Sequence, residues 1–281
     1  MSERRNNKRP RHDNRRDEKP EKSAADSAAQ DVGLLASKNP YMPMFLNFRA
    51  ELDEHHDRRE RVIKASRDVT AASKKMIFSL QRCRQLSAPL PPSVLSEVTN
   101  LHTIIQTQLL TISHDLSSGN TFRYRQITGG LQELIEALCF RHYLETGSLL
   151  TYTAAQKMIP EGIELTISDY VPGVFDFVGE VMRFAITMVA LGGGEVEKVL
   201  KDLRGIRQGL EEFEEPGYKW YVGARDADKK IAVMRECVEK VEKAVAGKII
   251  RGAEMPEGWV PDLTEVVEGG EGSIRGGTGG V

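Results

Sequence analysis

The chain has 281 residues, with 39 lysines and arginines against 41 aspartates and glutamates, and its formal net charge of −2 marks it as neither a basic nor an acidic protein overall. No apolar segment near the start has the character of a secretory signal. Cys83, Cys139 and Cys237 are odd in number, widely separated and form no CxxC pair, which fits reduced thiols in the cytoplasm or nucleus better than a disulfide framework.

In chain order, residues 1–40 open with nine basic residues between Arg4 and Lys22 and continue into an Ala-, Ser-, Asn- and Pro-rich stretch. Nothing there can build a core, so the segment reads as a disordered basic arm and linker, suited to nuclear import or phosphate contact. A helical domain is expected over 41–262. Its first helix keeps Phe45, Phe48, Leu52, Val62, Ile63, Val69, Ile77 and Leu80 on helical spacing, with no Pro or Gly before Pro89. At about forty residues it would run near ~60 Å, and its surplus face invites oligomerisation. Arg58, Arg59, Arg61, Lys64, Arg67, Lys74 and Lys75 on this helix alternate with acids; the run reads as a solvated face, or as a track for a nucleic-acid backbone.

A second helix is predicted over Val94–Leu116 with Ser93 as N-cap, and a third over roughly Phe122–Glu145, with Gly129 and Gly130 marking a weakness or a close approach. A short piece, Leu149–Met158, leads to a turn at Pro160, Glu161 and Gly162. The fifth helix, from about Ser168 to Leu191, tolerates Pro172 only in its first turn. It is long enough to span a bilayer, but three charges near its middle exclude that reading. The sixth runs from about Glu195 to Phe213. The seventh carries Ala227, Ile231, Met234, Val238, Val241 and Val245, a heptad seam. Residues 263–281 are a Gly-rich, disordered tail. No strand alternation appears, so the fold class is all-α: a single seven-helix bundle.

The strongest chemical signal lies in the fifth helix. Asp176, Glu180 and Arg183 recur at steps of four and three, on one face of an otherwise apolar run. Buried carboxylates need partners, and the third helix supplies Glu133 and Glu136, again on one face. Two readings follow. Arg183, with Arg125 or Arg141, makes an internal ion-pair network; or the four acids converge on a cation. All-oxygen ligation favours Mg²⁺ or Mn²⁺, and its natural chemistry is phosphodiester hydrolysis by a metal-activated water. A di-iron site needs Glu-x-x-His pairs, whereas Cys139 and Arg183 stand three residues after Glu136 and Glu180. His55 and His56 lie beside acids and arginines on the first helix and His142 one face away from the site acids, and all three read as ordinary helix residues rather than ligands.

The segment FRAELDEHHDRRERVIKASRDVTAASKKMIFSLQR (48–82) resembles the opening helix of the translin family. The resemblance continues through ITGGLQELIEALCFRHYLETGSLL, DYVPGVFDFVGEVMRFAI and, more weakly, IRGAEMPEGWV. It implies a seven-helix subunit that assembles with translin into a hollow hetero-oligomer, an octamer, binding single-stranded RNA or DNA. It also implies an Mg²⁺-dependent endoribonuclease whose catalytic acids fall on Glu133, Glu136, Asp176 and Glu180, with Glu136 and Glu180 as metal ligands. Asp176 marks the catalytic type of subunit, because translin itself has an apolar residue there. Arg125 and Arg183 are candidates for contacting phosphate. The alternative is a non-catalytic subunit that stabilises translin and takes it to the nucleus.

Overall fold

In the computed structural model residues 39–117, 120–212 and 224–252 are described. They contain seven α-helices and, among the described residues, no strand: α1 Met42–Leu80, α2 Pro92–Leu116, α3 Thr128–Thr146, α4 Tyr152–Lys157, α5 Ile167–Ala190, α6 Val196–Glu212 and α7 Ala224–Gly252. Most of the arm, the tail and the Phe213 end expected for the sixth helix lie outside the described residues. No described helix is long and apolar enough to cross a membrane.

The chain divides after His56 into two units. In the first, Tyr41, Met44, Phe45, Phe48 and Leu52 are all exposed, and the Phe45 and Phe48 rings meet edge to face at 6.2 Å. The second unit holds the core. Burial in α1 starts at Val62 and continues through Val69, Met76 and Leu80.

The helix α3 is apolar nearly all round: Leu131, Leu134, Ile135, Leu138, Phe140 and Tyr143 are buried on every side, as a central helix requires. It packs along α5, which also packs against α7. Every member of the α7 seam, Ala227 through Val245, is buried, as its spacing predicts. Each large side chain so removed from water contributes roughly 1.5–3 kcal/mol before ordering entropy is counted. Cys83, Cys139 and Cys237 are buried free thiols.

Three local expectations differ from what is observed. The α3 helix starts at Thr128; before it lie two 3₁₀ turns, Asn120–Phe122 and Arg125–Ile127, which bury Thr121 and Ile127 in single turns. Ser93 does not cap α2, because Pro92 already opens the helix, where its missing N–H costs nothing. Pro172 lies beyond the first turn of α5. A proline there cannot bond the carbonyl four residues back, and Gln132 of α3 replaces it, donating from Nε2 to the Ser168 carbonyl at 3.0 Å.

The basic run of α1 is not one solvated face. Arg61 donates to both oxygens of Asp115, at 2.9 Å each, and the Arg58 Nε lies 3.4 Å from the same carboxylate. The Arg58 guanidinium also covers the Tyr124 ring at 5.8 Å. These contacts clamp α1 to the end of α2. They hold the buried Asp115 carboxyl below the usual carboxylate range, the Arg61 hydrogen bonds contributing most.

Candidate functional site

Two glycines set how closely the acid-bearing helices approach. A β-carbon on Gly173 of α5 would stand 2.8 Å from the Gln132 carbonyl oxygen and 2.9 Å from Ile135, so α5 rests directly on the backbone of α3. Gly130 does the same for α1: its N–H donates to Ser66 Oγ at 3.2 Å, and a β-carbon would meet the Ser66 carbonyl at 2.9 Å. Gly130 is thus the close approach expected at the glycine pair, while Gly129 faces open space.

Near these contacts α3 presents Glu133 and Glu136, and α5 presents Asp176 and Glu180. Glu180 is the floor of the site, with only 5 % of its surface exposed. One of its oxygens accepts from Arg183 Nη1 at 2.7 Å and the other from Gln81 Nε2, just past α1. Asp176 is the rim. Its carboxylate is exposed and takes the Lys230 ammonium of α7 at 2.5 Å, so the apolar neighbours of Asp176 do not enclose it as the sequence suggests. Glu133 has the Lys74 ammonium of α1 at 3.8 Å.

Glu136 differs from the other three. Among the described residues it has no hydrogen-bond donor and no ion-pair partner. Burial pushes its carboxyl up to about 8, and the neighbouring charges of Glu133, Glu180 and Asp176 push the same way. Glu133 is raised too, first by burial and then by Asp176 and Glu180. The four acids therefore feel one another across the α3–α5 contact.

The ion-pair network weighed from the sequence is partly present. Arg183 neutralises Glu180, but Arg141 pairs with Glu145 within α3, and Arg125 acts on Asp169 instead. Asp169 stands seven residues before Asp176 and eleven before Glu180, so the Arg125 charge acts at the start of α5, ahead of the acid stripe. Lys74, Lys230 and Gln81 are partners that sequence reasoning missed. Their only signal is negative: each lies on or beside a helix with its own apolar register, far along the chain from the acid it meets. Among the described residues no three carboxylate, His or Cys side chains are grouped closely enough to hold one ion as they stand. The donor set nonetheless suits a hard divalent cation, because it is all oxygen and contains one part-buried carboxylate without a counter-ion.

A family model described as Translin matches residues 57–252. Translin-associated protein X of Mus musculus is 31% identical over 253 residues, covering 81% of this chain and 85% of its own. The homologue of that protein in Schizosaccharomyces pombe is 31% identical over 212 residues, covering 75% and 89%. Among solved structures, apo-NeC3PO superposes with a TM-score of 0.58 at 18% identity, covering 73% of this chain and 97% of its own. AfC3PO in complex with duplex RNA gives 0.57 at 20%, covering 74% and 97%. At such identities these structures speak for the fold.

Proposed function

The chain belongs to the translin family, and from that premise we propose that it is the catalytic subunit of an Mg²⁺-dependent endoribonuclease, assembled with translin into a hetero-octamer and acting on single-stranded RNA. The observation that carries this reading is Glu136, a carboxylate raised to about 8 amid three other acids and, among the described residues, in direct contact with no cation. A scaffold gains nothing from such a group, which costs stability whenever it ionises.

In this reading Glu136 and Glu180 hold the ion, and Glu133 and Asp176 complete the site and orient the attacking water. When bound, Mg²⁺ supplies a Lewis acid toward phosphate oxygen and lowers the pKa of the water. Gln81 fixes the second oxygen of Glu180, leaving its carboxylate little rotational freedom. Glu133, whose pKa is already raised, is suited to accept the proton that the water gives up. Arg183 is 64% exposed at its side chain and can reach outward to a phosphate while anchored on Glu180. Work in the cytoplasm and in the nucleus, the latter reached through the basic arm, belongs to the same proposal.

The test is Glu136→Gln in the assembled complex. Cleavage of single-stranded RNA should be lost while RNA binding stays nearly intact, and undiminished cleavage would remove this site from consideration. The three protein cations on Glu133, Asp176 and Glu180 favour a second reading, a non-catalytic translin-binding subunit with internal ion pairs. Cleavage measured with and without Mg²⁺ separates the two, since a scaffold shows no metal-dependent turnover.

A further inference from the structure

Lys230 belongs to neither acid-bearing helix. It comes from α7, whose seam residues Ala227 and Ile231 on either side of it are buried against the bundle, so its backbone position is fixed. Its ammonium meets Asp176 Oδ1 at 2.5 Å and lies 3.4 Å from the Pro172 carbonyl. That carbonyl sits one turn before Asp176, so two contacts on α5 hold the ammonium at the Asp176 end of the acid stripe. Lys230 also acts electrostatically on both Glu133 and Glu136. That influence is weaker than those of burial and the neighbouring acids, and its direct contact with an acid is at Asp176; Lys74 meets Glu133 at 3.8 Å and is 65% exposed.

We propose that Lys230 is the resident counter-cation of the acid cluster: it supplies, in the metal-free protein, the positive charge that the divalent ion supplies in the loaded one, and the two compete. This rests on the metal reading given above. Competition follows from charge. An ammonium held on Asp176 satisfies one prospective ligand and adds positive charge where a second cation must arrive, so it opposes uptake of the ion by direct repulsion. A lysine suits this role better than an arginine would: its charge is a point and its stem is flexible, so it can leave Asp176 without breaking a forked pair. Lys230 is thus a positioning residue that sets the metal affinity of the site.

The experiment measures Mn²⁺ binding to the assembled complex, in the absence of RNA, by calorimetry and by the loss of the free-ion electron paramagnetic resonance signal. Lys230→Met should tighten Mn²⁺ binding by about tenfold, the scale expected for removing one nearby like charge from a half-exposed site. Lys230→Arg should leave affinity at or below the wild-type value, and Lys74→Met should change it by less than about threefold. The direction is diagnostic, because a lysine that merely props up the fold would weaken binding when removed. Unchanged or weaker Mn²⁺ binding in a folded Lys230→Met complex overturns the proposal. Glu136→Gln is measured alongside. If it abolishes Mn²⁺ binding while Lys230→Met does nothing, the metal site stands and only the competition fails; if it leaves binding unchanged, the metal reading itself fails.

Discussion

Two acid–base clusters in the second unit use the same ingredients to opposite ends. At the junction of α1 and α2 one buried aspartate, Asp115, has two arginines, and its carboxyl is held below the usual range. At the α3–α5 contact four acids share three cations, and the acid left over, Glu136, is driven up to about 8. At Glu136 burial acts first and the neighbouring acids add to it, whereas at Asp115 the arginine hydrogen bonds outweigh burial. A cluster with cations in excess is a clamp, whereas one with acids in excess stores a repulsion that an added cation can relieve.

Several measurements would break or sharpen this contrast. The largest effect is expected on activity: Glu136→Gln should lower RNA cleavage by the assembled complex by about two to three orders of magnitude or more, read in a gel assay at saturating Mg²⁺. The same change at the clamp should be silent in that assay but costly to the fold. Asp115→Ala removes the carboxylate that Arg58 and Arg61 share and should destabilise by about 1–3 kcal/mol, seen as a fall in Tm, because charge-assisted hydrogen bonds between α1 and α2 are lost. Next comes geometry. Gly173→Ala places a methyl group against the α3 backbone and should cost about 1–3 kcal/mol, with cleavage falling further than stability alone explains.

The smallest effect is the most specific, since the two clusters must respond to pH with opposite sign. The folded Glu136 carboxyl binds its proton more tightly than the unfolded one, so its ionisation opposes folding as pH rises from the ordinary glutamate value toward about 8. In EDTA, Glu136→Gln should therefore raise stability by about 1–2 kcal/mol at pH 8 and leave it unchanged near pH 4. Asp115 is depressed, so its contribution is present above the ordinary aspartate value and is lost as pH falls through its folded value. Asp115→Asn should flatten the acid limb of the stability profile and Glu136→Gln the alkaline limb; exchange of these outcomes would refute the contrast.

Where the sequence carries periodicity it is readable. The α7 seam is buried throughout and Arg183 pairs with Glu180 at its step of three, since these are relations within one helix. The two turns before α3 were not legible, because each single turn buries one residue and so leaves no repeat to detect. Pro172 falls beyond the first turn for a related reason: what makes it tolerable is an amide in another helix, 36 residues from the Ser168 carbonyl it bonds. The cations of the site were hidden in the same way. Lys230 is 54 residues from Asp176, and Arg61 is 54 from Asp115. Spacing locates the acids of such a site, but their partners are set by packing.

The bond from Gln132 to the Ser168 carbonyl has one further consequence. Because Pro172 denies α5 its own internal bond at that point, the helix borrows one from α3, and the loan acts as a rivet between the two acid-bearing elements. Sliding α5 by even one residue would strand a carbonyl in the interior as well as misalign four carboxylates. A substitution that mends the ladder, such as Pro172→Ala, would make the helix sounder in isolation and yet release the fastening that keeps its acids in step with those across the seam.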